Sequence, residues 1–296
     1  DIQMRLGALE AGGTKMVCSI GDETGRVFSR VSYPTLSPAE TMPRLIEFFK
    51  SESIDALGVA SFGPIDLHQD SPTYGYITST PKKGWTNYPF LPELREAIGV
   101  PCGYDNDVNA AAIAEHRMGA AKGLSSCIYV TVGTGVGAGI VVENKIVHGL
   151  VHPEFGHFWL RSHPDDPMPH GSCPFHDGCL EGMASGPAIL KRWGKPAQEL
   201  APDHPAWVLE SYYLAQMCMT AILVLSPEKI VLGGGVMQQE HLFPMIRRQV
   251  REMLNGYVQH PEILGGMDDY IVAPRLGINS GVTGALILAA EAMERK

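Results

Sequence analysis

The feature that most constrains the fold is a strand, a glycine-rich turn and a second strand that occur twice, near residue 12 and again near residue 135. The first copy has Gly12-Gly13-Thr14-Lys15 between two β-rich stretches. The second is Thr131–Gly139, in which glycine stands at every second position and therefore on one face of a strand. Stretches with helical patterns follow both copies, which favours an α/β fold. A chain of two similar α/β halves would produce this repetition.

Local patterns predict the remaining elements. Strands are expected over Leu6–Glu10, Met16–Ile20, Val27–Val31, Ala56–Ser61, Val100–Tyr104 and Lys229–Leu232, with a strand, a turn and a strand over Cys127–Val142. Helices are expected from a Ser37 N-cap to about Lys50, and over Pro89–Ile98, Asp107–Met118, Ser185–Lys195, Pro205–Leu225 (with a kink in this one left open), Leu242–Leu254 and Gly284–Arg295.

Composition and charge exclude several classes of protein. The 296 residues carry a formal net charge of −9 and no basic run longer than two residues, which argues against a nucleic-acid surface. No apolar run approaches the roughly 18 residues of a spanning helix, and the start has no signal pattern. Six cysteines in a chain of this length do not form a disulfide framework. We therefore predict a cytoplasmic protein that binds neither nucleic acid nor a membrane.

Four glycine-rich segments predict a nucleotide site. Adjacent glycines at Gly12-Gly13 permit positive φ and close backbone approach, so their N–H groups could surround a phosphate, with Thr14 and Lys15 adding a hydroxyl and a charge. An ordinary hairpin turn is the alternative. In the second copy, Thr134 and Gly135 lie in the turn, which lacks the features of a Walker loop.

The other two glycine segments lie further along the chain. Gly233-Gly234-Gly235 follows a short strand and suits a loop against a flat or anionic ligand, although a helix-entry turn would explain it too. Gly277–Gly284 precedes the last helix. Together the four segments indicate a nucleotide that lies across a cleft.

Polar residues are concentrated where the strand before the Ala-rich helix ends. Asp105, Asn106, Asp107 and Asn109 occupy this junction, and the carboxyl ends of such strands are where α/β proteins bind ligands. Asp107 or Asp105 could accept a proton from a sugar hydroxyl, and the two asparagines could bind neighbouring hydroxyls. Helix N-capping is the alternative, but it explains one of the four residues and hardly all of them.

Cysteine and histidine spacing predicts a zinc site. Cys173, His176 and Cys179 form a C-x2-H-x2-C pattern, whose short gaps bring thiolates and an imidazole to one tetrahedral centre. His157 is the best candidate for the fourth ligand, and His163 or His170 are the alternatives. Four protein ligands would make the site structural, holding a proline-rich loop.

These segments together resemble the ROK family (repressors, open reading frames, kinases) and, within it, the bacterial zinc-containing fructokinases. The resemblance covers nearly the whole chain. It rests on Glu10–Lys15, Gly63–Asp66, Asn106–Ala112, Gly133–Gly139, Glu154–His157, Cys173–Gly182 and Gly233–Val236.

The resemblance implies an actin/hexokinase-like (ribonuclease-H-like) two-domain α/β kinase fold with an interdomain cleft. The expected domains are residues 1–115, residues 116–283 with a zinc-bound loop at about 152–182, and a terminal helix over 284–296 that returns to the first domain. It also implies a homodimer.

The resemblance assigns roles residue by residue. Asp107 matches the catalytic base. Residues of three segments match sugar-binding positions, namely Gly63, Pro64, Asn106, Glu154, His157 and Glu181, and His157 also matches a zinc ligand. Phosphate-loop and adenosine-side positions are matched by Gly12, Gly13, Thr14, Lys15, Thr134, Gly135, Gly233, Gly234 and Gly235.

The expected activity is ATP-dependent phosphorylation of a hexose, with Mg²⁺ accompanying ATP and Zn²⁺ as a structural ion. The substrate inference is fructose, because His176 replaces a cysteine that many members have. Many members also have Asp where this chain has Glu10, which changes how Mg²⁺ would be held. The alternatives are a kinase of mannose or glucose, and a non-catalytic sugar-binding or regulatory member.

Overall fold

The structure is a computed structural model that describes residues 3–295 and contains two five-stranded sheets. The strands are β1 Leu6–Ala11, β2 Lys15–Gly21, β3 Val27–Pro34, β4 Ala56–Ser61, β5 Cys102–Asn106, β6 Cys127–Val132, β7 Val136–Val142, β8 Lys145–Ile146, β9 Ile230–Gly233 and β10 Ile271–Val272. The α-helices are α1 Pro38–Ser51, α2 Phe90–Ile98, α3 Asp107–Met118, α4 Leu180–Ala184, α5 Gly186–Trp193, α6 Ala206–Leu225, α7 Leu242–Leu254, α8 Pro261–Leu264 and α9 Ser280–Glu294.

The two sheets have the same strand order. The first is ordered β3-β2-β1-β4-β5 and the second β8-β7-β6-β9-β10. In each sheet the first three strands in this order are antiparallel to their neighbours. The fourth strand is parallel to the third, and the fifth is parallel to the fourth. The repetition expected from the two glycine turns is therefore confirmed, because the β1–β2 and β6–β7 turns occupy equivalent positions in the two sheets.

The chain forms two compact units. The first contains the residues up to Ala114, His148–His152 and the residues from Ile278 onward. The second contains Glu115–Val147 and Pro153–Gly277. The first sheet lies in the first unit and the second sheet in the second unit.

Helix α9 packs directly on the first sheet. A Cβ atom added to Gly58 of β4 would lie 1.7 Å from the carbonyl oxygen of Ala285, and one on Gly103 of β5 would lie 2.3 Å from that of Leu288. Only residues without side chains permit this approach, so the two glycines determine how closely α9 covers the strands. At the N-terminus of α1, Ser37 and Glu40 form the predicted capping box.

Helix α6 forms the centre of the second unit's core. Trp207, Tyr213 and most of its other residues are buried against the second sheet and α7. Among the residues described, α6 is the one helix that is long and apolar enough to cross a membrane, a test that buried core helices of soluble proteins also pass. It runs without interruption over 20 residues.

A buried ion pair holds the proline-rich loop to the second unit's helices. Arg192 Nε of α5 lies 2.9 Å from Asp166 Oδ1, and both side chains are almost completely buried. The hydroxyl of Tyr213 donates to the other carboxylate oxygen of Asp166. The loop is therefore attached by more than the predicted metal ligands.

Several predicted boundaries differ from the structure by one to four residues, and two of these differences affect segments of the predicted site. Strand β5 begins at Cys102, not Val100, because Pro101 cannot donate a ladder hydrogen bond there, and it extends to Asn106. Helix α9 begins at Ser280, so Gly281 and Gly284 lie in the helix and not in a nucleotide-contacting turn. A Cβ on Gly284 would lie 2.0 Å from the carbonyl oxygen of Ala110, so this glycine allows α9 to pack on α3.

Candidate active site and metal centre

The junction of β5 and α3 carries an array of four polar side chains, three of which are joined by hydrogen bonds. Asp105 Oδ1 accepts from the Asn109 side-chain amide at 2.7 Å and from the backbone N–H of Asn106 at 2.8 Å. Asn106 Oδ1 in turn accepts from the backbone N–H of Asn109 at 2.8 Å. Asn106 thus supplies the N-cap-type hydrogen bond, and Asp107 is left available for chemistry.

Asp107 has the properties of a general base. Its side chain is exposed, and Oδ1 accepts from the backbone N–H of Val108 at 2.9 Å, which fixes its orientation. Surrounding protein atoms desolvate the carboxylate and raise its pKa, while the Val108 hydrogen bond and the charge of His152 act in the opposite direction. A carboxylate with a raised pKa accepts a proton more readily than an ordinary one.

The β1–β2 turn presents the first glycine pair. Gly12 N–H donates to the Lys15 carbonyl at 2.9 Å, and the Gly12 carbonyl accepts from the Thr35 hydroxyl at 2.7 Å. A Cβ on Gly12 would lie 2.8 Å from the Lys15 carbonyl oxygen, whereas one on Gly13 would meet no atom within 4 Å. Neither glycine has positive φ. The interpretation based on positive φ is therefore wrong here, and close approach alone accounts for Gly12.

Glu10 extends from β1 towards the start of α9. A Cβ on Gly281 would lie 2.4 Å from Glu10 Oε1, so a side chain at this position would displace the Glu10 carboxylate. Glu10 Oε2 is buried and has no hydrogen-bond partner among the described residues. Burial raises the pKa of this carboxyl, and the charges of Arg30 and Lys15 oppose the shift. A buried carboxylate oxygen without a hydrogen-bond partner is available to bind a cation or a water molecule.

In the second unit, two of the predicted nucleotide segments meet. A Cβ on Gly133 would lie 3.8 Å from the backbone nitrogen of Gly235, which brings the β6–β7 turn next to the end of β9. Gly234 has φ +93°, and a Cβ there would lie 2.4 Å from the Val132 carbonyl oxygen. At this position both the backbone conformation and the close approach require glycine.

Glu181 connects the β6–β7 turn to the histidine of the predicted metal site. Its Oε1 accepts from the backbone N–H of Val136 at 3.0 Å, and its Oε2 lies 3.5 Å from His157 Nε2. A Cβ on Gly156 would lie 2.0 Å from the Val136 carbonyl oxygen, so the segment Glu154–His157 also runs close to this strand. The backbone N–H of Glu181 donates to the Gly156 carbonyl at 2.7 Å.

The four predicted zinc ligands lie together. One ligand atom from each of them lies within 4.8 Å of all the others, and the residues are His157, Cys173, His176 and Cys179. The sulfur-to-nitrogen distances between them are 3.6–3.9 Å. Tetrahedral zinc with bonds of 2.0–2.3 Å separates its ligand atoms by about 3.3–3.8 Å, so the donor set fits zinc.

The structure decides between the alternative fourth ligands. His157 directs Nδ1 at both cysteine sulfurs and Nε2 at Glu181. The Nδ1 atom of His163 accepts from the Asp165 backbone, and His170 Nδ1 lies 2.8 Å from Asp177. His163 and His170 are therefore engaged elsewhere, and the histidine that faces the cysteines also faces a carboxylate, as metal-bound histidines commonly do.

Gly63 and Pro64 follow β4 in an exposed loop of the first unit. The Pro64 carbonyl accepts from the Thr78 N–H at 2.8 Å, and the Phe62 N–H donates to the Ala11 carbonyl at 2.7 Å. The second contact places this loop beside the end of β1, which leads into the β1–β2 turn.

Sequence reasoning missed two contacts of these arrays. Gly281, predicted in a nucleotide-contacting turn, lies against Glu10, and His148 contacts Asp105 with Nε2 2.9 Å from Oδ2. Neither carries a local signal, because each partner is more than 40 residues away in sequence.

Comparison with known proteins places these features in a family. The sequence model described as the ROK family matches residues 6–292. The chain belongs to the ROK family. A fructokinase of Pediococcus pentosaceus is 46% identical to this ROK protein over 291 residues, covering 98% of this chain and 99% of the relative. A Bacillus subtilis (strain 168) protein that carries the name fructokinase provisionally is 50% identical over 289 residues, covering 98% and 96%.

Solved structures of ROK proteins share the fold. The ROK hexokinase of Thermus thermophilus superposes with a TM-score of 0.80 at 28% identity, covering 99% of this chain and 100% of that one. A ROK glucokinase of Streptomyces griseus, solved with glucose and AMPPNP, gives 0.72 at 26% identity, covering 97% and 99%. This ROK protein therefore has the actin/hexokinase-like α/β fold expected from its sequence.

Proposed function

We propose that this ROK protein is an ATP-dependent fructokinase that converts D-fructose and ATP to D-fructose 6-phosphate and ADP. The observation that carries the proposal is 46% identity to a fructokinase over nearly the full length of both chains. The β5–α3 array supports it, because it presents the Asp107 carboxylate next to the Asn106 amide, two groups suited to a polyol.

Asp107 acts as the general base. The proton of the sugar's 6-hydroxyl passes to the Asp107 carboxylate while the hydroxyl oxygen bonds to the γ-phosphorus of ATP. The bond between that phosphorus and the β–γ bridging oxygen breaks, and ADP leaves with the electron pair. Such a reaction depends mostly on positioning and on electrostatic stabilisation of the transferred group.

Sugar hydroxyls bind at the positions that the family resemblance assigns to the sugar. The amide of Asn106 and the loop of Gly63 and Pro64 supply contacts, and Glu154, His157 and Glu181 supply others. The Val136–Glu181–His157 contacts support this assignment, because they hold a carboxylate and an imidazole in one place.

ATP phosphates bind to backbone amides of the glycine turns. Gly12, Gly13, Thr14 and Lys15 of the β1–β2 turn and Thr134 and Gly135 of the β6–β7 turn form this set, and Gly233, Gly234 and Gly235 lie on the adenosine side. Mg²⁺ would neutralise phosphate charge when bound with ATP, and Glu10 would hold it directly or through water. The unpartnered Glu10 Oε2 supports that role.

Zinc at His157, Cys173, His176 and Cys179 would be structural, since all four positions of a tetrahedral ion are filled by protein. It would fix the orientation of His157 and hence of Glu181. The homodimer and the cytoplasmic location stay predictions.

A hexose panel with an Asp107 variant tests the proposal. ADP release is measured with fructose, mannose and glucose for the wild type, Asp107→Asn and the exposed control Asp70→Asn. Fructose should give the highest kcat/KM, and Asp107→Asn should lose turnover by about 100-fold or more while calorimetry shows retained fructose binding. Wild-type-like turnover in Asp107→Asn would refute the assigned base, and a preference for glucose or mannose would refute the substrate.

A further inference from the structure

The side chain of His148 reaches the β5–α3 array from a distant part of the chain. Its Nε2 lies 2.9 Å from Asp105 Oδ2, the carboxylate oxygen that the two amide donors leave unused. Asp105 is nearly completely buried, whereas 42% of the His148 side chain is exposed. A buried carboxylate needs a partner for each oxygen, and His148 supplies the partner of the second oxygen.

Asp105 is coupled to the neighbouring site residues through short contacts. Its Oδ1 binds the Asn106 backbone and the Asn109 side chain, and Asn106 Oδ1 binds the Asn109 backbone. Asp107 lies between these two asparagines at the first position of α3. Asp105 therefore anchors the backbone of Asn106 and the side chain of Asn109, the two asparagines that flank Asp107.

The segment that carries His148 buries little apolar surface. His148–His152 belongs to the first unit although the residues on both sides of it belong to the second. Its two apolar side chains are not buried, since Leu150 is 96% exposed and Val151 is 69% exposed. Hydrophobic burial thus contributes little to holding the segment, and the His148–Asp105 contact is one of its polar attachments.

The same segment influences Asp107 directly. His152, four residues after His148, lowers the pKa of Asp107 through its charge, against the rise caused by desolvation. The hydrogen bond that His148 donates to Asp105 raises the pKa of His148 and so favours the imidazolium beside the buried carboxylate. Attachment of His148 therefore places a second histidine near the proposed base.

We propose that His148 is a positioning residue of the phosphoryl transfer: by binding Asp105, it fixes the array in which Asn106 binds the sugar and Asp107 accepts the proton. This inference rests on the proposed function for its kinetic part. His148 itself touches neither substrate nor reacting atoms.

The kinetic test compares His148→Ala, His148→Gln and the exposed control His68→Ala. Glutamine retains a donor at the position of Nε2. We expect His148→Ala to lower kcat about tenfold, the effect of losing one hydrogen bond to a charged group, with KM for ATP unchanged. His148→Gln should recover most of that loss. Wild-type kcat in His148→Ala, or an equal loss in the glutamine variant, would overturn the proposal.

A second readout does not depend on turnover. Hydrogen exchange of the full-length protein reports the amides of Asn106, Val108 and Asn109, which all donate to side chains of this array. In His148→Ala these three amides should exchange about tenfold faster than in the wild type. In His148→Gln and His68→Ala their exchange rates should stay at the wild-type value. Unchanged exchange in His148→Ala overturns the positioning role even if the hexose panel shows no kinase activity.

A double-mutant comparison separates the pair from two independent effects. If His148 acts through Asp105, the double variant His148→Ala with Asp105→Asn should lose no more kcat than the worse single variant. If the fold-losses in kcat of the two single variants multiply in the double variant, His148 does not act through Asp105. Thermal unfolding of each variant identifies any loss that reflects unfolding.

Discussion

Glu181 accepts the backbone N–H of Val136 at 3.0 Å, so a side chain next to the metal-site histidine fixes the first residue of β7, directly after the β6–β7 turn. The Cys/His cluster and the β6–β7 turn thus share one carboxylate. A substitution that disturbs one of them should therefore alter the structure of the other.

Glu181→Ala should raise KM for ATP about tenfold, because the Val136 N–H loses a charged acceptor. Glu181→Gln should leave KM for ATP within about threefold of wild type, since its amide carbonyl can still accept from Val136. Steady-state kinetics with ATP varied at saturating sugar measures both values, with the exposed Glu240→Ala as control. Equal ATP KM values in the alanine variant and the wild type would show that the contact does not order the turn.

Removal of the metal ligands should destabilise the second unit. Cys179→Ser should lose one zinc per chain by elemental analysis, and its Tm should fall by about 4–8 °C, which corresponds to about 2 kcal/mol in a domain of this size. Chelator treatment of the wild type should give the same Tm. Cys102→Ser, which changes a cysteine outside the cluster, should keep its zinc. If the purified wild type contains no zinc and Cys179→Ser has an unchanged Tm, a structural ion is excluded.

Gly58→Ala should destabilise the first unit strongly. The added methyl would lie 1.7 Å from the Ala285 carbonyl oxygen, so α9 must move away from β4. We expect a loss of about 3 kcal/mol in the free energy of unfolding, at the upper end of overpacking costs. Gly13→Ala is the matched control, because its methyl meets no atom within 4 Å. Urea unfolding measures both, and similar midpoints for the two variants would contradict the packing of α9.

Because of Glu210, the free energy of unfolding should decrease as the pH rises. This residue of α6 is fully buried, neither carboxylate oxygen has a partner among the described residues, and burial raises its pKa well above the usual value. An acid with a raised folded-state pKa contributes its stability at low pH and loses it as the pH climbs from the unfolded pKa to the folded one. Over that window the wild type should lose up to about 1.4 kcal/mol per pH unit relative to Glu210→Gln.

Urea unfolding of the wild type and Glu210→Gln between pH 5 and pH 8 (about half a unit above the ordinary Glu pKa at the lower end) measures this difference. The exposed Glu240→Gln should follow the wild type at every pH. A difference between Glu210→Gln and the wild type that stays constant with pH would show that Glu210 is charged in the folded protein or is reached by water.

Short-range patterns predicted the elements well. The Ser37–Glu40 capping box, the strand Ala56–Ser61 and the helix Asp107–Met118 have the predicted positions, because their signals lie within a few residues. The zinc cluster was predictable for the same reason in three of its four residues, and the fourth ligand needed the structure.

Contacts between distant residues were not predictable from one sequence. Arg192 and Asp166 are 26 residues apart, and His148 and Asp105 are 43 apart. A buried ion pair depends on which helix and loop pack together, and no local pattern encodes that. The φ values at Gly12 and Gly13 were misjudged because glycine permits positive φ without requiring it.

The packing of α9 on β4 and β5 has a consequence for biosynthesis. A ribosome makes the two strands early, but the helix that covers them comes from the end of the sequence. Domains generally begin to fold during translation from the N-terminus. Here the second unit, whose residues end at Gly277, can complete its core first, while nascent β1, β4 and β5 wait with an apolar face exposed. The first-made half is therefore the last to fold, and it is the half for which a chaperone would matter most.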